Sequence, residues 1–358
     1  MNKKIRVLVV GVGNMGASHA KAYHGLADME VVGLVARSAT RRSPLAEELG
    51  GVAEYDDYDT ALTQTKPDAV CIATYPDTHE SFAVKAFNAG CHVFVEKPLA
   101  ETVEKAQAVV DAAKAANKKL VVGYILRHHP SWIEFIKVAK TLGKPLVMRM
   151  NLNQQSSGND WTWHKNLMNS LSPMVDCGVH YVDVMCQATG AKPTQVYAIG
   201  ARLSEELAPG KYNYGQLQVR FDDGSVGWYE AGWGPMMSQE AFFVKDIVGP
   251  KGCVSIVKAK GDQELGDSSD IDSHTKTNCL QIHHAELDSD QNFTKEDEFI
   301  NTADEPDHQG LCDREQAYFK KAILDDIDLS DHMRDAVSSL SIVLAADKSF
   351  REGKAIDL

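Results

Sequence analysis

The feature that most restricts what this chain can fold into lies at its start. Ile5–Val10 is a short β-branched run, and it passes directly into Gly11-Val12-Gly13-Asn14-Met15-Gly16. A helix-like stretch then continues to about Leu26. The G-x-G-x-x-G spacing has a mechanism in this setting, after a buried strand and at the opening of a helix. Gly11 permits the tight turn, Gly13 lets the backbone approach a pyrophosphate, and Gly16 lets the helix lie close to the strand. The helix start at Asn14 and Met15 then offers unpaired N–H groups and the positive dipole end to phosphates. The bland alternative is a glycine-rich turn in some other α/β protein.

The first third keeps the same alternation. Val31–Val35, Ala69–Ala73, His92–Val95 and Leu120–Val122 read as strands, and Thr78–Ala89 and Thr102–Ala116 as helices. Ser43-Pro44 reads as N-cap and first-turn proline of a short helix that stops at Gly50-Gly51. Strands alternating with helices imply right-handed crossovers and a parallel sheet. After about Tyr124 the texture changes. A helix near Ser131–Thr141, a strand over Leu146–Leu152 and a helix over Pro173–Ala188 come first. Hairpin signals follow: Tyr212–Phe221 and Ser225–Gly232 flank Asp222-Asp223-Gly224, and Ala241–Val248 and Cys253–Lys258 flank Gly249-Pro250-Lys251-Gly252. Lys260–Asn278 reads as a polar loop or insertion, and helices near Leu311–Leu324 and Met333–Glu352 close the chain.

The expected fold class is an α/β Rossmann domain with a parallel sheet over residues 1–124, plus an α+β domain with an open, mostly antiparallel sheet over residues 125–358. The C-terminal helix is free to pack back on the Rossmann domain. A length of 358 residues suits two such domains.

Composition excludes several classes of partner. With 37 basic and 50 acidic residues the formal net charge is -13, which repels phosphate backbones and anionic headgroups. No nucleic acid and no membrane partner is expected. The apolar run after Lys3-Lys4 is too short for a signal-peptide core or a membrane span. Seven cysteines without a C-x-x-C pair suit free thiols in a reducing, cytoplasmic compartment. His128-His129 and His283-His284 are adjacent pairs that point apart on regular elements, and no H-x-x-x-H pattern surrounds them, so no metal is expected.

The end of the second strand reads Leu34-Val35-Ala36-Arg37-Ser38. An acidic residue here would hold a ribose 2′-hydroxyl; Ala36 stands in its place. Arg37 and Ser38, with Arg41 and Arg42 beyond, suit a 2′-phosphate. NADP(H) is therefore expected ahead of NAD(H). In the alternative, Arg37 stacks on adenine while NAD is used, or Arg41 and Arg42 form a solvated helix start.

Two further constellations bear on chemistry. Glu96-Lys97-Pro98 follows a strand directly, and the carboxyl end of a parallel strand borders the ligand crevice. Asp176-x-Gly178-x-His180-x-x-Asp183, if helical, sets two carboxylates around one imidazole. A solvated lysine and a satisfied core histidine are the plain alternatives. Together with Ala73-Thr74, Pro76 and His79, Gly123-Tyr124, Arg127 and Pro130, and the Gly353–Leu358 tail, these motifs resemble the glucose–fructose oxidoreductase / inositol dehydrogenase / MocA family over essentially the whole chain.

The resemblance implies hydride transfer between a secondary alcohol of a sugar or polyol and nicotinamide. It implies that Lys97 steadies the reacting oxygen, that His180 is the general base or acid, and that Asp176 orients it, with Asp183 and Tyr124 near substrate. Thr74, Tyr75, Pro76, His79, Glu96, Lys97 and Arg127 then border the cofactor. The chain departs from the family where Ser170-Leu171-Ser172-Pro173 replaces a glycine run; Ser172 and Pro173 suit an N-cap and first-turn proline. Trp161, Trp163 and His164 suit carbohydrate stacking, or else pack on the sheet. Two other functions fit the resemblance: a glycoside hydrolase that oxidises its sugar transiently, and a dinucleotide-sensing regulator that keeps no chemistry. An open sheet face and the family both lead to the expectation of a homodimer or homotetramer.

Overall fold

The computed structural model describes residues 4–238, 244–257, 268–269 and 276–358. The chain divides into two compact units. The first takes Met1–His128 and Pro306–Val337, and the second His129–Glu305 and Ser338–Leu358.

The first unit holds six parallel strands: β1 (Ile5–Val10), β2 (Met29–Val35), β3 (Glu54–Tyr55), β4 (Ala69–Ile72), β5 (His92–Val95) and β6 (Leu120–Val122). Their order is β3-β2-β1-β4-β5-β6, the doubly wound arrangement with its switch point between β1 and β4. Strands buried on both faces must be apolar throughout; β4 and β6 are fully buried along their length. The connecting helices are α1 (Asn14–Gly25), α2 (Ala39–Glu48), α3 (Tyr58–Thr65), α4 (Pro76–Asn88) and α5 (Val103–Ala116). Thr102 caps α5 by accepting from the Lys105 N–H, and Asn117 ends it at φ 49°.

The sequence reading of α2 needs correction. Ser38 is its N-cap, accepting from the Thr40 N–H, and Pro44 lies inside the helix. Ser43 spends its hydroxyl on Glu54 at 2.7 Å instead of capping. The earlier cap wins because it starts the helix directly after β2, and the helix tolerates the one hydrogen bond that Pro44 cannot donate.

In the second unit, helices α6 (Pro130–Ala139), α7 (Gly158–Leu167), α8 (Pro173–Asp176) and α9 (Gly178–Thr189) accompany a nine-stranded sheet. Its strands are β7 (Val147–Gln155), β8 (Pro193–Ala201), β9 (Tyr214–Phe221), β10 (Val226–Gly234), β11 (Lys245–Gly249), β12 (Gly252–Val257), β13 (Cys279–His284), β14 (Glu298–Asn301) and β15 (Ile356–Asp357). The order is β14-β13-β12-β11-β7-β10-β9-β8-β15. Among the described residues of this sheet only β7 and β10 pair in parallel, Val147 opposite Val226; the other pairs are antiparallel. Both expected hairpins form, with Gly224 at φ 84° in the first turn. Of the strand expected over 241–248, residues 241–243 lie outside the described residues, as does most of the expected loop 260–278.

Glycines let α9 lie close to this sheet. A Cβ on Gly178 would stand 2.9 Å from the Tyr229 ring, and one on Gly227 would stand 2.6 Å from the Met185 sulfur. Two further helices, α10 (His308–Leu324) and α11 (Ser330–Glu352), close the chain. α10 belongs to the first unit, and α11 begins in the first unit and ends in the second.

Candidate functional site

The nucleotide end of the first unit is built from glycines with three different reasons to be glycine. Gly11 has φ +89°, and a Cβ there would meet the Ala73 carbonyl oxygen at 2.4 Å. A Cβ on Gly16 would meet the Gly11 carbonyl oxygen at 1.9 Å. Around Gly13, by contrast, nothing lies within 4 Å of the Cβ position. Protein packing therefore explains Gly11 and Gly16, while Gly13 keeps open space beside the helix start. Gly13 caps α1 without any side-chain hydrogen bond, and the first turn carries no acid. The N–H groups at Asn14, Met15 and Gly16 thus face an uncapped, electropositive cradle that fits a pyrophosphate.

At the end of β4, Thr74 shares a 2.7 Å hydrogen bond with the Thr78 hydroxyl, and α4 opens at Pro76 with no side-chain cap from Tyr75. Tyr75 is 64% exposed. His79 does not offer a free nitrogen to a ligand. It is fully buried, with Nδ1 2.8 Å from the Pro98 carbonyl and Nε2 3.1 Å from the Thr74 carbonyl. Burial lowers its pKa, against the pull of those two carbonyls. As a neutral ring it donates to one of these carbonyls and packs between the turn after β4 and the turn after β5.

At the end of β2, Arg37 and Arg41 are exposed and make no ion pair or hydrogen bond among the described residues. Arg42 is committed elsewhere. Its Nη1 donates to the Tyr55 carbonyl at 2.8 Å and its Nε to Glu54 at 2.9 Å, which pins α2 to β3.

Glu96 is buried at the end of β5. Its Oε2 accepts from the Lys97 backbone N–H at 3.1 Å, and its Oε1 lies 2.7 Å from His19 Nε2. Both carboxylate oxygens are thus engaged within the protein. Lys97 is half-buried. Arg127 pairs with Asp335 at 3.0 Å and lies over the buried Tyr124 ring at 5.8 Å. The ion pair holds the stretch after β6 to α11 within the first unit.

The second unit carries the other motif. Ser172 caps α8 by accepting from the Val175 N–H, with Pro173 in the first turn, as the sequence leads one to expect. Asp176 ends α8, Cys177 stays right-handed, and α9 continues from Gly178. Asp176, His180 and Asp183 therefore lie along one nearly continuous helical path. His180 is half-buried. Asp183 is 1% exposed and accepts from Gln187, one turn further along α9, at 2.9 Å.

Two of the three stacking candidates are core residues. Trp161 packs with Met168, Leu207 and Trp233, and its indole N–H donates to Glu206 at 3.0 Å. His164 is 1% exposed and stacks on Trp233 with centroids 4.6 Å apart. Burial of these apolar faces outweighs their availability to a ligand. Trp163 remains 54% exposed.

Sequence reasoning missed His19, Glu315 and Gln316. The ligand atoms of His19, Glu96 and Glu315 lie within 4.8 Å of one another, and the Gln316 amide meets His19 Nδ1 at 2.9 Å. The available signal was a histidine on the same face of α1 as Gly16 and Tyr23. None of the seven cysteines, all of them described, is in a disulfide. Among the described residues no helix is long and apolar enough to cross a membrane.

A sheet in this order, with an uncapped glycine-rich helix start at its switch point, defines a dinucleotide-binding Rossmann unit. Known proteins agree. Residues 5–124 match the family model described as an oxidoreductase family with an NAD-binding Rossmann fold, and residues 136–254 match the GFO/IDH/MocA C-terminal domain. The chain belongs to the GFO/IDH/MocA oxidoreductase family. It is 26% identical over 377 aligned positions to scyllo-inositol 2-dehydrogenase (NAD(+)) of Bacillus subtilis, covering 100% of this chain and 97% of that protein. It is 24% identical over 275 residues to D-glucoside 3-dehydrogenase of Escherichia coli, covering 71% of this chain and 78% of the other. The fold matches scyllo-inositol dehydrogenase of Lactobacillus casei, solved with NAD(H) and scyllo-inositol, at a TM-score of 0.77 and 20% identity over 99% of both chains.

Proposed function

We propose that this oxidoreductase transfers hydride between a secondary alcohol of a sugar or polyol and nicotinamide, with NADP(H) preferred. The observation that carries the reading is the placement of Lys97 at the carboxyl end of β5, on the same edge of the parallel sheet as the open Gly13 cradle. The preference for a 2′-phosphate rests on Ala36 in place of an acid and on the exposed Arg37 and Arg41 beside the Ser38 cap. The two relatives named above act, by their names, on an inositol and a glucoside.

Gly11, Gly13, Asn14, Met15 and Gly16 would hold the pyrophosphate, and Arg37, Ser38 and Arg41 the adenosine end. Bound there, the dinucleotide supplies the hydride acceptor or donor. The Lys97 ammonium hydrogen-bonds the reacting oxygen and offsets its developing negative charge. His180 takes the hydroxyl proton during oxidation, as the carbon loses hydride and the C=O bond forms, and returns it during reduction. Asp176 orients the imidazole. Asp183 holds the helix from within.

Fluorescence titration with NADPH and NADH tests the cofactor. At least tenfold tighter NADPH binding is expected, about 1.4 kcal/mol, with the margin lost in Arg37→Ala. Equal affinities would refute the 2′-phosphate role. Turnover is followed by nicotinamide absorbance on myo-inositol, scyllo-inositol, D-glucose and methyl β-D-glucoside. Lys97→Ala and His180→Ala should each lower kcat by about 10²–10⁴-fold while dinucleotide still binds. Wild-type turnover in both variants would end the assignment, and glycoside cleavage without a net absorbance change would replace it with the hydrolase.

Thiols without disulfides suit a reducing cytoplasm. The second sheet exposes Val147, Tyr197, Ile199, Val226 and Phe299, which suits a homodimer or homotetramer through that face. Light scattering reads the mass directly.

A further inference from the structure

The cluster beneath the Glu96-Lys97 turn is wholly inside the Rossmann unit, and the proposed chemistry does not use it. Its hydrogen bonds run in one direction. The Tyr23 hydroxyl donates to Gln316 Oε1, so Gln316 turns its N–H toward His19 Nδ1, 2.9 Å away. His19 then carries its proton on Nε2 and donates it to Glu96 Oε1 at 2.7 Å. Glu96 Oε2 accepts from the Lys97 N–H at 3.1 Å. The chain of bonds thus leads from α10 through α1 to the main chain of Lys97.

Every neighbour favours this arrangement. Phe94 packs edge-on to the His19 ring at 4.8 Å, and Phe319 backs Phe94 at 6.0 Å. Gly123 leaves room for the carboxyl: a Cβ there would come within 3.1 Å of it. Glu315 is 1% exposed, and its Oε1 has no partner. Burial first, and the neighbouring Glu96 second, push its pKa well up. The buried thiols Cys71 and Cys312 are also pushed up, chiefly by desolvation, and stay protonated. The spacing of His19, Glu96 and Glu315 is also that of a metal site. But two atoms bound to one ion at about 2.0–2.1 Å stand roughly 3 Å or more apart. The 2.7 Å His19–Glu96 contact is a hydrogen-bond length.

We infer that His19 is a positioning residue for Lys97: acting through Glu96, it fixes the Lys97 main chain to α1. The inference rests on the proposed role of Lys97. Because the first turn of α1 is also the dinucleotide cradle, one rigid helix sets both the cofactor end and the lysine. An error of about 1 Å in a reacting group costs up to about 100-fold in rate, so such a brace matters to turnover more than to binding.

The test compares His19→Phe, which fills the space without either bond, with His19→Gln, which restores a donor at the Nε2 position. The first readout needs no substrate: backbone hydrogen exchange of the peptide covering residues 94–99, with thermal midpoints to show that each variant is folded. Exchange at the Lys97 amide should quicken about tenfold or more in His19→Phe and return toward wild type in His19→Gln. Gln316→Leu, which removes the hold on Nδ1, is the second variant should His19→Phe not fold, and should quicken it less. Unchanged exchange in the folded variants would overturn the inference.

The second readout is a double-mutant cycle on the sugar or polyol turned over by the wild-type chain. His19→Phe should lower kcat by about 10–100-fold with dinucleotide affinity within about threefold, and should lower it no further in the Lys97→Ala background. Independent, multiplying losses would overturn action through Lys97. Normal kcat in Lys97→Ala alone would sink the role of that lysine, and the exchange result would then decide the brace by itself. One equivalent of a divalent ion in the purified protein, lost with His19, would replace the hydrogen bond with a metal site.

Discussion

The two units bury polar groups in opposite ways. In the first, imidazoles satisfy backbone groups at strand ends. His332 Nε2 accepts from the Val122 N–H at 2.8 Å, His92 Nδ1 from the Lys119 N–H at 3.0 Å, and His79 lies between two carbonyls and donates to one of them. In the second, rings stack on rings. Tyr181 lies on Tyr229 at 5.0 Å, His164 on Trp233 at 4.6 Å, and the buried Lys245 ammonium stands 5.7 Å from Trp132 and 5.6 Å from Tyr181. The reason is architectural. Short parallel strands end in many turns whose N–H and C=O groups need partners. A long-stranded, largely antiparallel sheet satisfies its own backbone and asks its covering helices mainly for area.

The sharpest way to break this comparison is to add one methyl group on each side of it. Gly16→Ala drives a Cβ to within 1.9 Å of a backbone oxygen that cannot yield. It should cost about 3 kcal/mol or more. Gly178→Ala meets the Tyr229 ring at 2.9 Å, and a ring can slide. It should cost about 1–2 kcal/mol and be felt mostly as a shift of the helix carrying His180. Urea melts followed by peptide-resolved hydrogen exchange would assign each loss to its unit. Equal costs would mean that backbone rigidity does not separate the two.

Acid should distinguish the units next. Burial holds the histidine pKa values below the ordinary 6.5: His79 and His332 are lowered, His92 to about 4 and His128 to about 3. Unfolded histidines bind protons below 6.5 that the folded ones refuse. Stability from these groups is therefore full above pH 6.5 and falls as pH drops toward the folded values. Glu315 works with the opposite sign. Its raised folded pKa means stability falls as pH rises above the ordinary 4.5, so Glu315→Gln should stabilise by roughly 1–2 kcal/mol at pH 8 and by little at pH 4. Between pH 7 and 5, exchange protection should fall first in peptides of the first unit. Loss that begins in the second unit would reverse the contrast.

The smallest stability effect belongs to Gly13→Ala, because its Cβ would meet nothing within 4 Å. Its thermal midpoint should stay within about 0.5 kcal/mol of wild type while dinucleotide affinity drops about tenfold or more. A large loss of stability would show that Gly13 serves the fold after all.

Much of this was legible from local chemistry. The strand–glycine–helix start, the Asp222-Asp223-Gly224 turn and the Ser172-Pro173 helix start depend on neighbours in sequence, and all three stand as read. Where two local signals competed, reading along the chain was not enough. Ser38 and Ser43 are both fit to cap α2, and Glu54 on the neighbouring strand decided between them by engaging Ser43. Trp161 and His164 are amphipathic, so only the presence of Trp233 shows that they are packing residues.

What the sequence determined by itself is the family and the doubly wound unit. Periodicity, turn residues and motif spacing are short-range properties that survive without coordinates. What only the tertiary structure decided is which polar groups meet. His19 and Glu96 are 77 residues apart in the chain and share one hydrogen bond. The parallel pairing of β7 with β10, within an otherwise antiparallel sheet, was likewise settled in space. Such contacts follow from how helices and strands pack against one another, and no local propensity encodes which distant side chain will fill the space beside a buried imidazole.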